Sequence, residues 1–162
     1  MSDNVYLGNP NLKKANTQIE FTEDQILEFL KCKEDPVYFA NNYIKIVSLD
    51  EGLTQFHPYH FQEKLINNFH ENRFNICKMP RQTGKSTTVV SYLLHYAVFN
   101  DSVNIGILAN KAATARELLS RLQTAYENLP KWMQQGIISW NKGSMELENG
   151  SKILAASTSA SA

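Results

Sequence analysis

The sequence predicts an α/β fold: a parallel sheet with flanking helices, preceded by a small helical region. Three observations predict it. Short apolar runs at residues 74–78 and 103–109 are each followed by a segment with helical periodicity. That strand–helix–strand–helix order implies parallel strands with helices packed on the sheet. Apolar residues make up 43% of the 162, so the chain can bury a core and is not a disordered polymer.

The elements follow in order. Residues 1–20 are polar and turn-rich, with Gly8-Asn9-Pro10-Asn11, and read as a loosely held arm. Thr22-Glu23-Asp24-Gln25 has the form of a capping box with Thr22 as N-cap, opening a helix that carries Ile26, Leu27, Phe29 and Leu30. Pro36 starts a second short helix that runs to about Tyr43, since proline is tolerated in a first helical turn. Residues 44–49 are apolar enough for a strand, and Asp50-Glu51-Gly52 is a turn. Pro58 precedes a helix over about 59–68, with Phe61, Leu65 and Phe69 at helical spacing. Residues 74–78 read as a strand, 79–84 as a loop, and 85–99 as a helix buried on much of its circumference. A strand at 103–109 leads to a second apparent capping box, Thr114-Ala115-Arg116-Glu117. Its helix places Ala115, Leu118, Leu119, Leu122, Ala125, Tyr126 and Leu129 on one stripe, and Pro130 ends it. The remainder reads as strands joined by tight turns at Asn141-Lys142-Gly143 and Asn149-Gly150. The tail from Ser157 to Ala162 has no helix cap or stop signal and reads as a cut.

Charge and cysteine usage narrow the function. Sixteen Lys and Arg balance sixteen Asp and Glu, so the chain as a whole is no polycationic nucleic-acid glove. Cys32 and Cys77 are far apart and lack a C-x-x-C partner, which argues against a disulfide framework or a zinc site and fits a reducing cytoplasm. The start, Met-Ser-Asp-Asn, has neither the basic onset nor the apolar run of a signal peptide. The longest apolar stretches fall well short of the ~20 residues a membrane helix needs. His57 and His60 are three apart, but Pro58 between them removes a shared helical face, and the histidines show no ligand spacing. Lys111, Arg116 and Arg121 read as a solvated helix face rather than a nucleic-acid surface.

The chemistry concentrates in Met79-Pro80-Arg81-Gln82-Thr83-Gly84-Lys85-Ser86. The general phosphate loop is G-x-x-x-x-G-K-[ST]; the last three positions match and Met79 replaces the first glycine. Gly84 lets the backbone approach phosphates, with the N–H groups of Gln82, Thr83 and the following helix start facing the anion. Lys85 supplies charge to the β- and γ-phosphates, and Ser86 offers a hydroxyl to Mg²⁺, with Thr87 as a second hydroxyl beside it. These residues imply ATP and Mg²⁺ as ligands. Arg81 is either a guanidinium that reaches the γ-phosphate or a surface arginine paired with an acid. Gln62, in Phe56-His57-Pro58-Tyr59-His60-Phe61-Gln62, is either a helix-surface glutamine or an amide suited to the adenine edge, with aromatics near enough to pack on the base.

Taken together, Phe56–Gln62 and Arg81-Gln82-Thr83-Gly84-Lys85-Ser86-Thr87 resemble the large terminase subunit of tailed bacteriophages. That family carries an aromatic-x-x-Q element and an R-Q-x-G-K-[ST]-T loop without a first glycine, so Met79 agrees with it. Pro36-Val37-Tyr38-Phe39-Ala40 with Tyr43, Ile107-Leu108-Ala109-Asn110-Lys111, Trp140-Asn141-Lys142-Gly143-Ser144 and Glu148-Asn149-Gly150-Ser151 are also similar, in the family's order. The resemblance runs from about residue 36 onward. It divides the chain into an N-terminal arm and helix, 1–35, and the first portion of a P-loop ATPase domain, 36–162.

The resemblance implies an ATPase that drives double-stranded DNA through a portal into a procapsid. It implies Lys85 and Ser86 on Mg-ATP, Arg81 as an arginine finger in cis, and Gln62 on adenine. It implies portal protein and a small terminase subunit as partners, no membrane, a homo-oligomer on the portal, and a place in the cytoplasm of the infected bacterium. Two family features have no counterpart: an acidic pair after a further apolar strand, and the nuclease domain. Glu146 and Glu148 sit between turns instead. The chain therefore reads as an N-terminal portion, expected to bind ATP weakly and turn it over at background rates when alone. The competing expectations are a superfamily-two helicase-like ATPase, which also places a glutamine upstream of its loop, and an inactive nucleotide-binding fragment.

Overall fold

The computed structural model describes residues 4–48 and 50–158. In chain order the elements are β1 (Val5–Tyr6), β2 (Asn9–Lys13), α1 (Glu23–Glu34), α2 (Pro36–Tyr43), β3 (Lys45–Ser48), β4 (Gly52–Gln55), α3 (His60–Glu71), α4 (Lys85–Phe99), β5 (Asn104–Ala109), α5 (Ala112–Glu127), β6 (Ile137–Trp140), β7 (Ser144–Leu147) and β8 (Lys152–Ser157). The fold is mixed α/β, as the alternation of apolar runs and helical segments predicts.

The main sheet has the order β5-β8-β7-β6. Only β5 and β8 run parallel, from Asn104↔Lys152 to Ala109↔Ser157; β6, β7 and β8 form an antiparallel meander. The expectation of a parallel sheet is therefore corrected to a mixed one. The cause is loop length, because the three- and four-residue turns at 141–143 and 148–151 can join only antiparallel neighbours, whereas a parallel pair needs a long crossover. At the first turn, Asn141 Oδ1 accepts from the Gly143 and Ser144 N–H groups at 2.8 and 2.9 Å. At the second, Asn149 Oδ1 accepts from Ser151 N–H, and its Nδ2 donates to the Ala97 and Asn100 carbonyls at 2.9 and 3.0 Å. The second turn thereby pins the meander to the end of α4.

A second correction concerns residues 74–78, expected as the strand that feeds the loop. They form no strand, and Phe74 and Ile76 are 82% and 101% exposed. A strand exists by pairing its N–H and C=O groups with a neighbour, and none of the described strands lies beside this run.

α5 covers the sheet with the predicted stripe: Ala115, Leu119, Leu122, Ala125, Tyr126 and Leu129 are buried and Leu118 partly so. Its start differs from expectation. Lys111 is the N-cap and Thr114 sits inside the first turn, its N–H donating to the Lys111 carbonyl at 3.1 Å, so the Thr114 box is not made. Only Asn110 and Lys111 separate β5 from α5, which forces the helix to begin early. Upstream, the Thr22–Gln25 box forms reciprocally, at 3.2 and 3.1 Å, and Asp35 caps α2 ahead of Pro36. Glu28 accepts from the hydroxyls of both Tyr38 and Tyr43 at 2.8 Å, which joins α1 to α2. The strand expected at 44–49 is β3, with Leu49 outside the described residues, and it pairs with the unpredicted β4.

The arm expected to be loose is instead docked, apart from residues 1–3, which lie outside the described residues. β1 and β2 form a hairpin and Leu12 is buried. Lys13 Nζ lies 2.9 Å from Glu148 Oε1, Asn16 N–H donates to Glu148 Oε2 at 2.8 Å, and Gln134 bonds both Lys13 N–H and the Asn11 carbonyl. Burial opposes ionisation of Glu148. The hydrogen bonds from Lys13 and from the backbone at Gly136 and Asn16 outweigh it and hold the carboxyl below its ordinary range. A polar sequence is thus held by polar partners more than a hundred residues away. At the other end β8 includes Ser157, and Thr158 N–H donates to the Ala109 carbonyl; the rest of the tail, 159–162, lies outside the described residues.

α4 buries Thr88, Val90, Ser91, Leu94, His95, Ala97, Val98 and Phe99, which matches its all-round apolar pattern. His95 is 1% exposed, with its ring 4.9 to 5.5 Å from Phe99 and Phe39, and its Nε2 lies 2.8 Å from the Cys32 carbonyl. Nε2–H must be the donor to that carbonyl, and Nδ1 has no hydrogen-bond partner among the described residues, which suits a neutral ring protonated on Nε2. Burial pushes its pKa down to about 4. Unfolded, the ring takes a proton near pH 6.5, so the unfolded state binds the proton first as pH falls and stability drops between 6.5 and about 4. The expected loss from this group is about 2 kcal/mol by pH 5. Urea midpoints at pH 7 and pH 5 test this: the wild-type drop should shrink in His95→Gln, and an equal drop in both would refute the assignment.

Candidate functional site

The segment from Met79 to Ser86 is a loop that turns directly into α4. Gly84 is the N-cap of α4 at φ 72°, in the left-handed region that glycine enters without a Cβ penalty. Gln82 is also left-handed, at φ 61°, so the chain bends twice in three residues. Gly84 C=O accepts from Thr88 N–H and from Thr88 Oγ1, each at 3.0 Å, which fastens the loop to the first helical turn. The N–H groups at the start of α4 have no helical carbonyl to meet and carry the positive end of the helix dipole.

Inside the loop, Thr83 Oγ1 donates to the Pro80 carbonyl at 3.0 Å. Lys85 Nζ donates to the Met79 carbonyl at 3.1 Å and to the Pro80 carbonyl. The ammonium therefore sits over the loop it belongs to. Ser86 and Arg81 are exposed, and neither side chain makes a hydrogen bond or ion pair among the described residues. Among the described residues no acid pairs with Arg81.

Gln62 comes to this loop from the first turn of α3. It is 3% exposed; Oε1 accepts from Tyr59 N–H at 2.8 Å and Nε2 donates to the Thr83 carbonyl at 3.2 Å. A primary amide has two N–H donors and an oxygen with two lone pairs, so one donor and one acceptor remain. Tyr59 and Phe61 flank it, stacked with centroids 5.9 Å apart and rings 11° from coplanar, and are 71% and 46% exposed. Two exposed aromatic rings beside a buried amide leave a flat apolar surface next to a hydrogen-bonding edge.

A cleft of about 550 Å³ lies between the start of α3, the β3–β4 hairpin and the loop. Gln62, Gln82, Thr83, Gly84 and Thr87 all line it. Lys85 and Ser86 face a smaller recess of about 150 Å³ with Val89, Leu93, Ile107 and Leu118. Of the hairpin wall, the strand carrying Ile46 was expected, but the β4 side with Thr54 was missed because β4 is short and half polar. Gln55 anchors that wall: its Nε2 donates to the Asn41 and Ile44 carbonyls at 3.0 and 2.9 Å. A glutamine directly before the Phe56–Gln62 run was the available signal.

Other sequence candidates lie elsewhere. Glu146 pairs with Lys152 at 3.0 Å and Glu148 with Lys13; neither lines the cleft. Arg121 pairs with Glu117 at 2.6 Å along α5, and Arg116 bonds the Ala112 carbonyl, as expected of a solvated helix face. Among the described residues no helix is long and apolar enough to cross a membrane. Residues 76–162, more than half of the chain, match the family described as terminase large subunit, T4likevirus-type, N-terminal.

Proposed function

The chain belongs to the family of phage large terminase subunits, which act in packaging phage DNA, and from that premise we propose that it is the ATP-binding part of the packaging motor. In this reading ATP hydrolysis drives double-stranded DNA through the portal, on a P-loop NTPase-type sheet. The partners are the portal protein, the small terminase subunit and further copies of the chain, in the cytoplasm of the infected host.

The observation that carries the reading is Gly84, left-handed at the N-terminus of a 15-residue helix, between a two-bend loop and Lys85. Free N–H groups, a helix dipole and a lysine converge where a triphosphate would lie. Ser86 fits as a ligand to Mg²⁺, because its hydroxyl is exposed and unpartnered at that helix start. The ion, when bound, neutralises charge on the β- and γ-phosphates.

The base would lie against Tyr59 and Phe61 and meet the remaining donor and acceptor of Gln62. Adenine offers an N7 acceptor and an N6 amino donor side by side, whereas guanine offers two acceptors, N7 and O6. Calorimetric titration of the full-length gene product with Mg-ATP and Mg-GTP tests this. ATP is expected to bind saturably and about tenfold more tightly than GTP, the cost of one unpaired buried amide group. No saturable ATP binding would sink the proposal, and equal affinity for the two would remove Gln62 from base reading.

A further inference from the structure

We propose that Gln62 is also a positioning residue for the phosphate loop, holding it in phosphate-binding shape whether or not a base is present. The inference rests on the nucleotide-site reading and deepens it. Gln62 reaches the loop across 21 residues of sequence, and its amide is the side-chain link described between α3 and the loop: Nε2 to the Thr83 carbonyl at 3.2 Å. The other end of the same amide is fixed by Tyr59 N–H at 2.8 Å, so the donor cannot swing without breaking a second bond. The side chain is almost wholly buried, where each bond is worth more and each loss costs more than at a surface.

The contact is also steric. A Cβ added at Gly84 would overlap Gln62 Nε2, so the amide fills the space that the missing side chain leaves. The hydrogen bond to residue 83 and the packing on residue 84 fix the two peptides that immediately precede Lys85. Those peptides aim the N–H groups at the anion. The 74–78 run that enters the loop from the other side pairs with none of the described strands, and the described anchors of the loop come from α4, through Lys85 and Thr88, and from Gln62. One amide therefore has two bonds spent on protein backbone and two free for a base.

Inorganic triphosphate separates the two roles because it has no base. The experiment is titration of Mg-triphosphate and Mg-ATP into wild type, Gln62→Met and Lys85→Ala, with thermal melting of each. Methionine keeps the volume and removes the hydrogen bonds. The expected result is that Gln62→Met binds inorganic triphosphate about tenfold more weakly than wild type, with a melting temperature within a few degrees. The side-chain amide signal of Gln62 in ¹⁵N spectra should also shift when inorganic triphosphate is added to wild type. Unchanged triphosphate affinity in Gln62→Met, with ATP affinity alone reduced, would overturn the positioning role and leave a base reader. Triphosphate affinity that Lys85→Ala does not weaken would overturn the nucleotide-site reading itself.

Discussion

Lys85→Ala is expected to abolish ATP-driven DNA translocation by the full-length gene product and to cut ATP turnover by about 10²–10³, while the fold survives. The positive charge is lost where the β- and γ-phosphates would lie, and no other described lysine lines either recess at the loop apart from Lys85 itself. Its two hydrogen bonds to the Met79 and Pro80 carbonyls are lost as well, so the loop should loosen in the absence of nucleotide. Stability should change little, because Lys85 opens the helix from a partly exposed position and its stem is not part of the buried core. Steady-state phosphate release with melting curves decides this. Turnover within twofold of wild type would exclude the phosphate-loop assignment, and a collapsed melting curve would make the lysine structural.

The parts of this fold that local chemistry dictates are the parts the sequence predicts. Thr22 and Gln25 cap α1 because the two side chains need only each other's backbone. Pro36 opens α2, Asn141 and Asn149 make their turns, and the α5 stripe faces the sheet, each from information within a few residues. What failed depended on distant partners. Residues 74–78 have strand-like composition, but composition does not supply the neighbouring strand. The N-terminal hairpin looked loose because it is polar, yet Lys13, Asn16 and Asn9 are satisfied by Glu148 and Glu127. Nothing near residue 13 signals an acid at 148.

The site divides in the same way. The turn at Gly84 into a helix opening with Lys85 and Ser86 was legible because the phosphate-loop pattern is local. Gln62 was legible as an amide at the right distance upstream, but its bond to the Thr83 carbonyl was not, because that bond depends on how α3 packs against α4. The β4 half of the hairpin wall was illegible for a different reason. β4 is a four-residue strand whose alternation is too short to separate from a turn.

Arg81→Ala is expected to lower turnover at saturating ATP by about 10³–10⁵ while changing ATP affinity only a few-fold. The guanidinium is four residues before Lys85, on the exposed side of a loop that bends at Gln82, and no described acid holds it. An arginine without a ground-state partner stays available to charge that develops during phosphoryl transfer, and interactions formed only then raise the catalytic rate rather than binding. Arg81→Lys should not restore the rate, because an ammonium lacks the planar fork that grips two phosphate oxygens at once. Single-turnover measurements separate chemistry from product release, and equilibrium titration gives affinity independently. If both substitutions weaken ATP binding and leave saturated turnover unchanged, Arg81 is a binding group. Transition-state charge would then have to be met by a group other than Arg81.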